Sequence, residues 1–296
     1  MKTEQHAFIA ENIVRHFGYE SKPITIIADD KFCEIASSIC EFHHASKMIS
    51  LSSYNTDSCG DVFHEIDTMC AIVLVEPETY IAYHLFMNLD FSQGEPRIPN
   101  LDSKVLVFPL DSVVRIFSMA PEHDRTEKNR ILSRLQGYSK YRITTSLGTD
   151  LTFRARSWIP LDFEVCTAPI EDSICGEIVV DGALFFKKIR SKLHFFIEQG
   201  KLIKITASDQ IGEADRAEYI AMTEKDMKES ANCQLAEIGI GFCHGAEITD
   251  CFMEAETVKG TCHFCFGNNV CYDGNNASEF HGASILIRNP RFEIIE

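Results

Sequence analysis

A chain of 296 residues is long enough for two ordinary domains with separate cores, and 45% hydrophobic with 24% charged residues excludes a disordered or fibrous protein. With 44 acidic against 28 basic residues the formal net charge is −16, which repels phosphate backbones and anionic lipid and so argues against nucleic-acid or membrane-surface partners. The opening Met1 to His6 has no apolar run or cleavage-site pattern, and no stretch reaches about 18 uninterrupted apolar residues. The expectation is a cytoplasmic protein whose twelve cysteines are reduced thiols.

Short β-branched runs open the chain: Ile24 to Ala28, Met48 to Leu51, Ala71 to Val75 and Val105 to Phe108. Helix-length segments separate them, a texture that predicts βαβ units and a parallel sheet. Between the first two runs, Phe32, Ile35, Ala36, Ile39 and Phe42 recur at the spacing of one helix face. From Ser112 to Gln136 the pattern is again helical but is interrupted at Pro121, and the part from Arg125 to Leu135 ends at Gly137, which suits a helix C-cap. The domain boundary is placed there, giving an α/β domain over 1–138 and a second domain over 139–296.

Beyond Tyr138 come short alternating runs, Tyr141 to Thr145, Asp150 to Arg154 and Glu177 to Asp181, with turn signals at Gly148-Thr149, Asp181-Gly182, Gly200-Lys201 and Gly274-Asn275. This predicts an antiparallel, sheet-rich domain, interrupted by one helix over roughly 214–230. Glycines, histidines and acids concentrate between Ala236 and His281. Glu237 opens a Gly-spaced apolar run, His263 sits in Thr261 to Gly267, and His281 follows a turn rich in Asp, Gly and Asn. Carboxylate and imidazole donors converging from separate strands are what a catalytic zinc or iron site requires. For each histidine alone, a hydrogen-bonded structural role competes.

Glu164 and Glu237 lie in otherwise apolar strands, where an unpaired carboxylate is costly, so each needs a metal, a cation or a hydrogen-bond donor. Cys262 and Cys265 stand three apart, which on a strand points them to opposite faces, and no second tight pair completes a zinc knuckle. These cysteines are read as buried small thiols. A nucleophilic Cys243 beside His244 has no recognised local signature. His43, His44, His84 and His123 read as surface or loop residues of the first domain.

Ordered blocks then carry a resemblance: Thr144 to Phe153, Phe163 to Ser173, Gly176 to Gly182, Ala236 to Gly241, Lys259 to Gly267 and Gly274 to His281. Over residues 140–290 they resemble the thermophilic-type metallo-aminopeptidases, the aminopeptidase T and S group, and their dihydroxypyridine-dioxygenase-like relatives. The resemblance implies a metal site of Glu164, Glu237, His263 and His281, with Glu164 and Glu237 also serving catalysis. The family's His-x-Asp here reads His281-Gly282-Ala283, and its glutamate pair reads Phe163-Glu164. Ala283 offers no donor, so the expectation is no metal or one divalent ion (zinc, cobalt or iron) rather than two, with Asp273 and Glu279 as the nearby substitutes.

The first expected function is therefore a peptide-binding protein derived from such a peptidase, with catalysis lost or vestigial, holding a basic peptide or a precursor peptide for modification by β-augmentation. The alternatives are an active metal-dependent aminopeptidase and a mononuclear iron dioxygenase-like enzyme. A homodimer is a further implication of the resemblance.

Overall fold

The computed structural model describes residues 2–43, 47–54, 59–77, 89–90, 96–137 and 139–295. The chain divides into two compact units, Met1–His123 and Asp124–Glu296.

The first unit contains α1 (Lys2–Phe17), β1 (Ile24–Ala28), α2 (Cys33–Phe42), β2 (Lys47–Ser50), β3 (Cys70–Val75), β4 (Asp102–Val107) and α3 (Leu110–Ile116). Its strands form a parallel sheet in the order β2-β1-β3-β4. The strands β1 and β3 are buried on both faces, which is why they read as continuous apolar runs rather than as alternation. Ile27, Ile49, Val73 and Val75 make the core on one side. The helices α1 and α2 pack together, and α2 lies on β1. The expected histidines differ in setting: His43 caps α2, His123 is exposed, and His44 and His84 lie outside the described residues.

The second unit begins within the first turn of α4 (Glu122–Leu135). This helix turns Ile131 and Leu135 into the second unit's core, and the division falls in its first turn, between His123 and Asp124, whereas the composition change suggests a boundary near Tyr138, itself outside the described residues. Gly137 has φ of +88°, as a left-handed helix cap requires. Thirteen strands follow: β5 (Lys140–Thr144), β6 (Asp150–Arg154), β7 (Ile159–Pro160), β8 (Glu164–Thr167), β9 (Cys175–Val180), β10 (Ala183–Leu184), β11 (Lys187–Lys188), β12 (Leu193–Glu198), β13 (Lys201–Ala207), β14 (Leu235–Gly241), β15 (Thr261–Gly267), β16 (His281–Arg288) and β17 (Arg291–Ile294). Two helices interrupt them, α5 (Gln210–Thr223) and the single turn α6 (Phe252–Ala255). The helix expected over 214–230 thus starts earlier, because Asp209 caps it by accepting from the Gly212 amide, and ends at Thr223.

The strands form two antiparallel sheets, β11-β10-β16-β15-β14-β8-β7 and β13-β12-β9-β6-β5-β17. They share one core: Tyr141, Leu151, Phe153, Ile178 and Phe195 from the six-stranded sheet meet Val165, Ile238, Phe264, Phe266 and Ile285 from the seven-stranded one. Strand alternation therefore sends Val165, Ile238 and Phe264 into the core and their neighbours Glu164, Glu237 and His263 to the opposite face of the seven-stranded sheet. Among the described residues no helix is long and apolar enough to cross a membrane.

Candidate metal centre

That opposite face carries the site. Adjacent strands β8, β14, β15 and β16 supply Glu164, Glu237, His263 and His281, the four residues that the sequence singles out. Glu237 is 3% exposed and His263 1% exposed. His281 is the open member, with 36% of its side chain exposed.

Glu237 is at the middle of the cluster. His281 Nε2 is 3.1 Å from its Oε2, and His263 Nε2 is 3.6 Å from its Oε1. On the other side of the same ring, His263 Nδ1 is 3.4 Å from Glu164 Oε2. Asn268 fixes the second nitrogen of His281 through its backbone oxygen, 2.6 Å from Nδ1.

The glycines of β14 make this arrangement possible. Gly239 pairs with His263 across the strands, and a Cβ at Gly239 would sit 2.0 Å from His263 Cε1. The imidazole therefore lies flat across a position that only glycine leaves empty. Gly241 makes similar room for the chain after α6, since a Cβ there would meet the Glu256 and Val258 carbonyl oxygens at 2.5 and 2.4 Å. Phe252 and Tyr272 wall the cluster, each with its ring centroid 6.4 Å from an imidazole, His263 and His281 respectively.

The electrostatics separate the two glutamates. Burial pushes the Glu164 carboxyl well above the usual carboxylate range against the pull of His263, and Glu256 and Glu237 add to the rise. Burial acts on Glu237 in the same direction, but the imidazoles of His263 and His281 outweigh it and hold that carboxyl well below its ordinary value. For both histidines burial works against the charged form, and the facing carboxylates outweigh it, so both imidazoles rise. Glu256 is a third acidic group that sequence reasoning passed over; burial, reinforced by Glu237, raises it well above the carboxylate range.

A metal fits this donor set. Among the described residues, Glu164 Oε2 and His263 Nδ1 are buried without a hydrogen-bond partner, and buried polar atoms in that state are rare and costly. Their 3.4 Å separation matches the roughly 3.3 Å between neighbouring ligands of a tetrahedral ion with bonds of about 2.0–2.1 Å. Two groups of donor atoms converge: Glu164, Cys166, Glu237 and His263, and Glu237, Cys265 and His281. They share Glu237, and each has one histidine. Neither Asp273 nor Glu279 belongs to them, so the substitutes expected from the sequence are not the ones the fold brings in.

Cys262 and Cys265 are both buried and point to opposite faces, as their spacing requires: Cys262 lies in the core, and Cys265 faces the site, 2.8 Å from Ser284 Oγ. Cys166 also joins the donors. Ala283 does more than lack a carboxylate. Phe264 pairs with Ile285 while Phe266 pairs with Gly282, so two residues of β16 oppose Cys265 alone, a β-bulge. Ala283 takes a φ of +50° in that bulge and turns its methyl into the core. The pairing of Cys243 with His244 fails as a nucleophile: burial, with Asp124 adding, pushes the thiol up to about 12, and His244 faces Asp124 at 2.9 Å.

No family model matches the chain, and no curated protein matches it. Among solved structures it is similar to 2,5-dihydroxypyridine dioxygenase from Pseudomonas putida KT2440, with a TM-score of 0.64 and 13% identity over 99% of this chain and 94% of that one. It is also similar to AmpT from Thermus thermophilus, with a TM-score of 0.58 and 11% identity over 99% of this chain and 95% of that one. The chain has the fold of these two proteins. The likeness runs through the first unit as well, beyond the residues 140–290 whose sequence blocks suggested it.

Proposed function

We propose that this chain is a metal-dependent peptide-binding protein whose centre keeps the donors for aminopeptidase-type hydrolysis. The observation that carries the metal is the unpaired, buried Glu164 Oε2 facing the unpaired Nδ1 of His263 beside Glu237. The division of His263 and His281 between two donor groups sharing one glutamate favours a hydrolase-type centre over a single-iron site, in which two histidines and one carboxylate occupy one ion. Peptide as the ligand class rests on the resemblance of the blocks over residues 140–290 to the metallo-aminopeptidases, on a fold shared with AmpT.

Glu164, Glu237, His263 and His281 would hold the metal, divided between the two donor groups that share Glu237, and the metal when bound would supply Lewis acidity and a water of lowered pKa. Around it the residues divide the work. Glu237, tied between two imidazoles, orients them. Glu164 turns its unpaired Oε2 toward the metal alongside His263. Phe252 and Tyr272 limit water at the two imidazoles.

A second reading, peptide binding without turnover, is favoured by Ala283, which offers no carboxylate where the resembling peptidases have one. One experiment separates the readings. The purified protein is loaded with zinc, cobalt or iron, its bound metal is measured by elemental analysis, and release of the N-terminal residue from peptides is assayed alongside Glu237→Gln. Bound metal with turnover that Glu237→Gln abolishes supports hydrolysis. Peptide binding without turnover, with or without bound metal, supports the second reading, and a protein that takes up none of the three metals and binds no peptide overturns both.

A further inference from the structure

Resting on the metal reading above, we infer that Cys166 and Cys265 are thiolate ligands, one in each of two subsites joined by Glu237, and that the centre takes thiophilic divalent ions such as zinc. The strand register places both cysteines. Cys166 pairs with Gly239, which pairs with His263, so the three form one rung across β8, β14 and β15. The rung has no side chain in its middle, and the Cys166 thiol and the His263 ring meet over Gly239. On the next rung Cys265 is directly opposite Glu237. Each thiol atom lies within 4.8 Å of every other donor in its group.

The donor counts differ between the groups, and that difference assigns their roles. Glu164, Cys166, Glu237 and His263 make four donors, the closed set of a structural tetrahedral site. Glu237, Cys265 and His281 make three, which leaves a coordination position open, and they include the solvent-exposed imidazole. The open subsite is therefore the reactive one. Cys265 supplies there an anionic donor that Ala283 does not, so the bulge in β16 removes one ligand position without leaving the subsite short of charge. Thiolate ligands select zinc and cobalt over magnesium, calcium or manganese, which prefer all-oxygen sets. Coordination releases the thiol proton of each cysteine to solvent.

Cobalt(II) titration of the full chain tests this, because sulfur bound to cobalt gives near-ultraviolet charge-transfer absorption that oxygen and nitrogen ligands do not give. Two equivalents are expected to bind, with charge-transfer absorption growing through both. Cys166→Ser and Cys265→Ser are each expected to remove roughly half of that absorption while leaving visible cobalt bands. X-ray absorption on the zinc-loaded unmutated chain, which needs no variant to fold, is expected to show a sulfur shell at about 2.3 Å. Visible cobalt bands without charge transfer, together with a zinc edge lacking sulfur, would overturn the thiolate ligands and leave the metal reading standing. Failure of both ions to bind would overturn both. Binding of a single equivalent would overturn the two-subsite arrangement.

Discussion

At the level of single residues, the site depends on what is missing as much as on its donors. Gly239 has no side chain, and the His263 ring occupies the space a Cβ would need, 2.0 Å from Cε1. Gly239→Ala is expected to cost about 1–3 kcal/mol, the usual range for overpacking a buried position, and to displace the imidazole. Metal uptake should fall further than the melting temperature does; calorimetry and a metal titration on the same sample check this, and unchanged uptake would refute the role given to Gly239. Ala283 gives the opposite lesson. Read by sequence spacing, Ala283→Asp restores a ligand and raises metal affinity. The bulge turns that side chain into the core, so the substitution buries an unpaired carboxylate among apolar groups. The expected outcome is a loss of about 2–4 kcal/mol with no gain in metal affinity, measured by denaturant unfolding and the same metal titration.

At the level of elements, the turn between β15 and β16 is held by one acidic side chain. Glu171 accepts from the Asn275 amide at 2.7 Å and from Asn269 Nδ2 at 3.0 Å through Oε1, and from Arg156 through Oε2 at 2.9 Å. That turn carries Tyr272 and leads into His281, so Glu171 positions one wall and one donor of the site without touching either. Partial burial works to raise its carboxyl, but these donors outweigh it and hold it at about 2, below the unfolded value of 4.5. A depressed folded value means stability that is fully present above about pH 4.5 and is lost as pH falls toward 2. Glu171→Gln is expected to lower stability near neutrality by about 1–2 kcal/mol after allowance for solvent screening, and to flatten the loss between those two pH values. Melting temperatures of both proteins against pH measure it. Parallel curves would exclude the linkage.

Much of this architecture is legible from residue patterns, and the exceptions have physical causes. The parallel strands are buried on both faces, so their apolar runs stand out, and Glu164, Glu237 and His263 stand out as polar interruptions of such runs. Cys166 and Cys265 were legible too: each lies two positions from a donor on the same strand, which places it on the same face. Their apolar character hid them. The bulge at Ala283 was not legible, because it uses a non-glycine residue at positive φ, and strand parity beyond it reverses without a marker in the sequence. The helix α1 was passed over although Ile9, Ala10, Ile13 and Val14 are buried at helical spacing; the residues around them are polar, and the stretch drew attention only for its lack of a targeting pattern.

For the whole molecule, the charge of −16 is the property that no single site explains. A field of that sign attracts cationic ligands over distances set by the ionic strength, whatever the local chemistry of the pocket. If the metal centre engages peptides, a basic peptide should bind roughly tenfold more tightly than an acidic peptide of the same length at low salt. The preference should shrink toward parity near 1 M salt, where the screening length falls to about 3 Å. A contact-specific preference behaves otherwise, since a buried ion pair between site and peptide is screened far less. Isothermal titration of both peptides at several salt concentrations, on metal-loaded protein, distinguishes the two. Equal affinities at low salt would mean that the surface charge has no part in choosing the ligand, and a preference that persists at high salt would place the selection in the site itself.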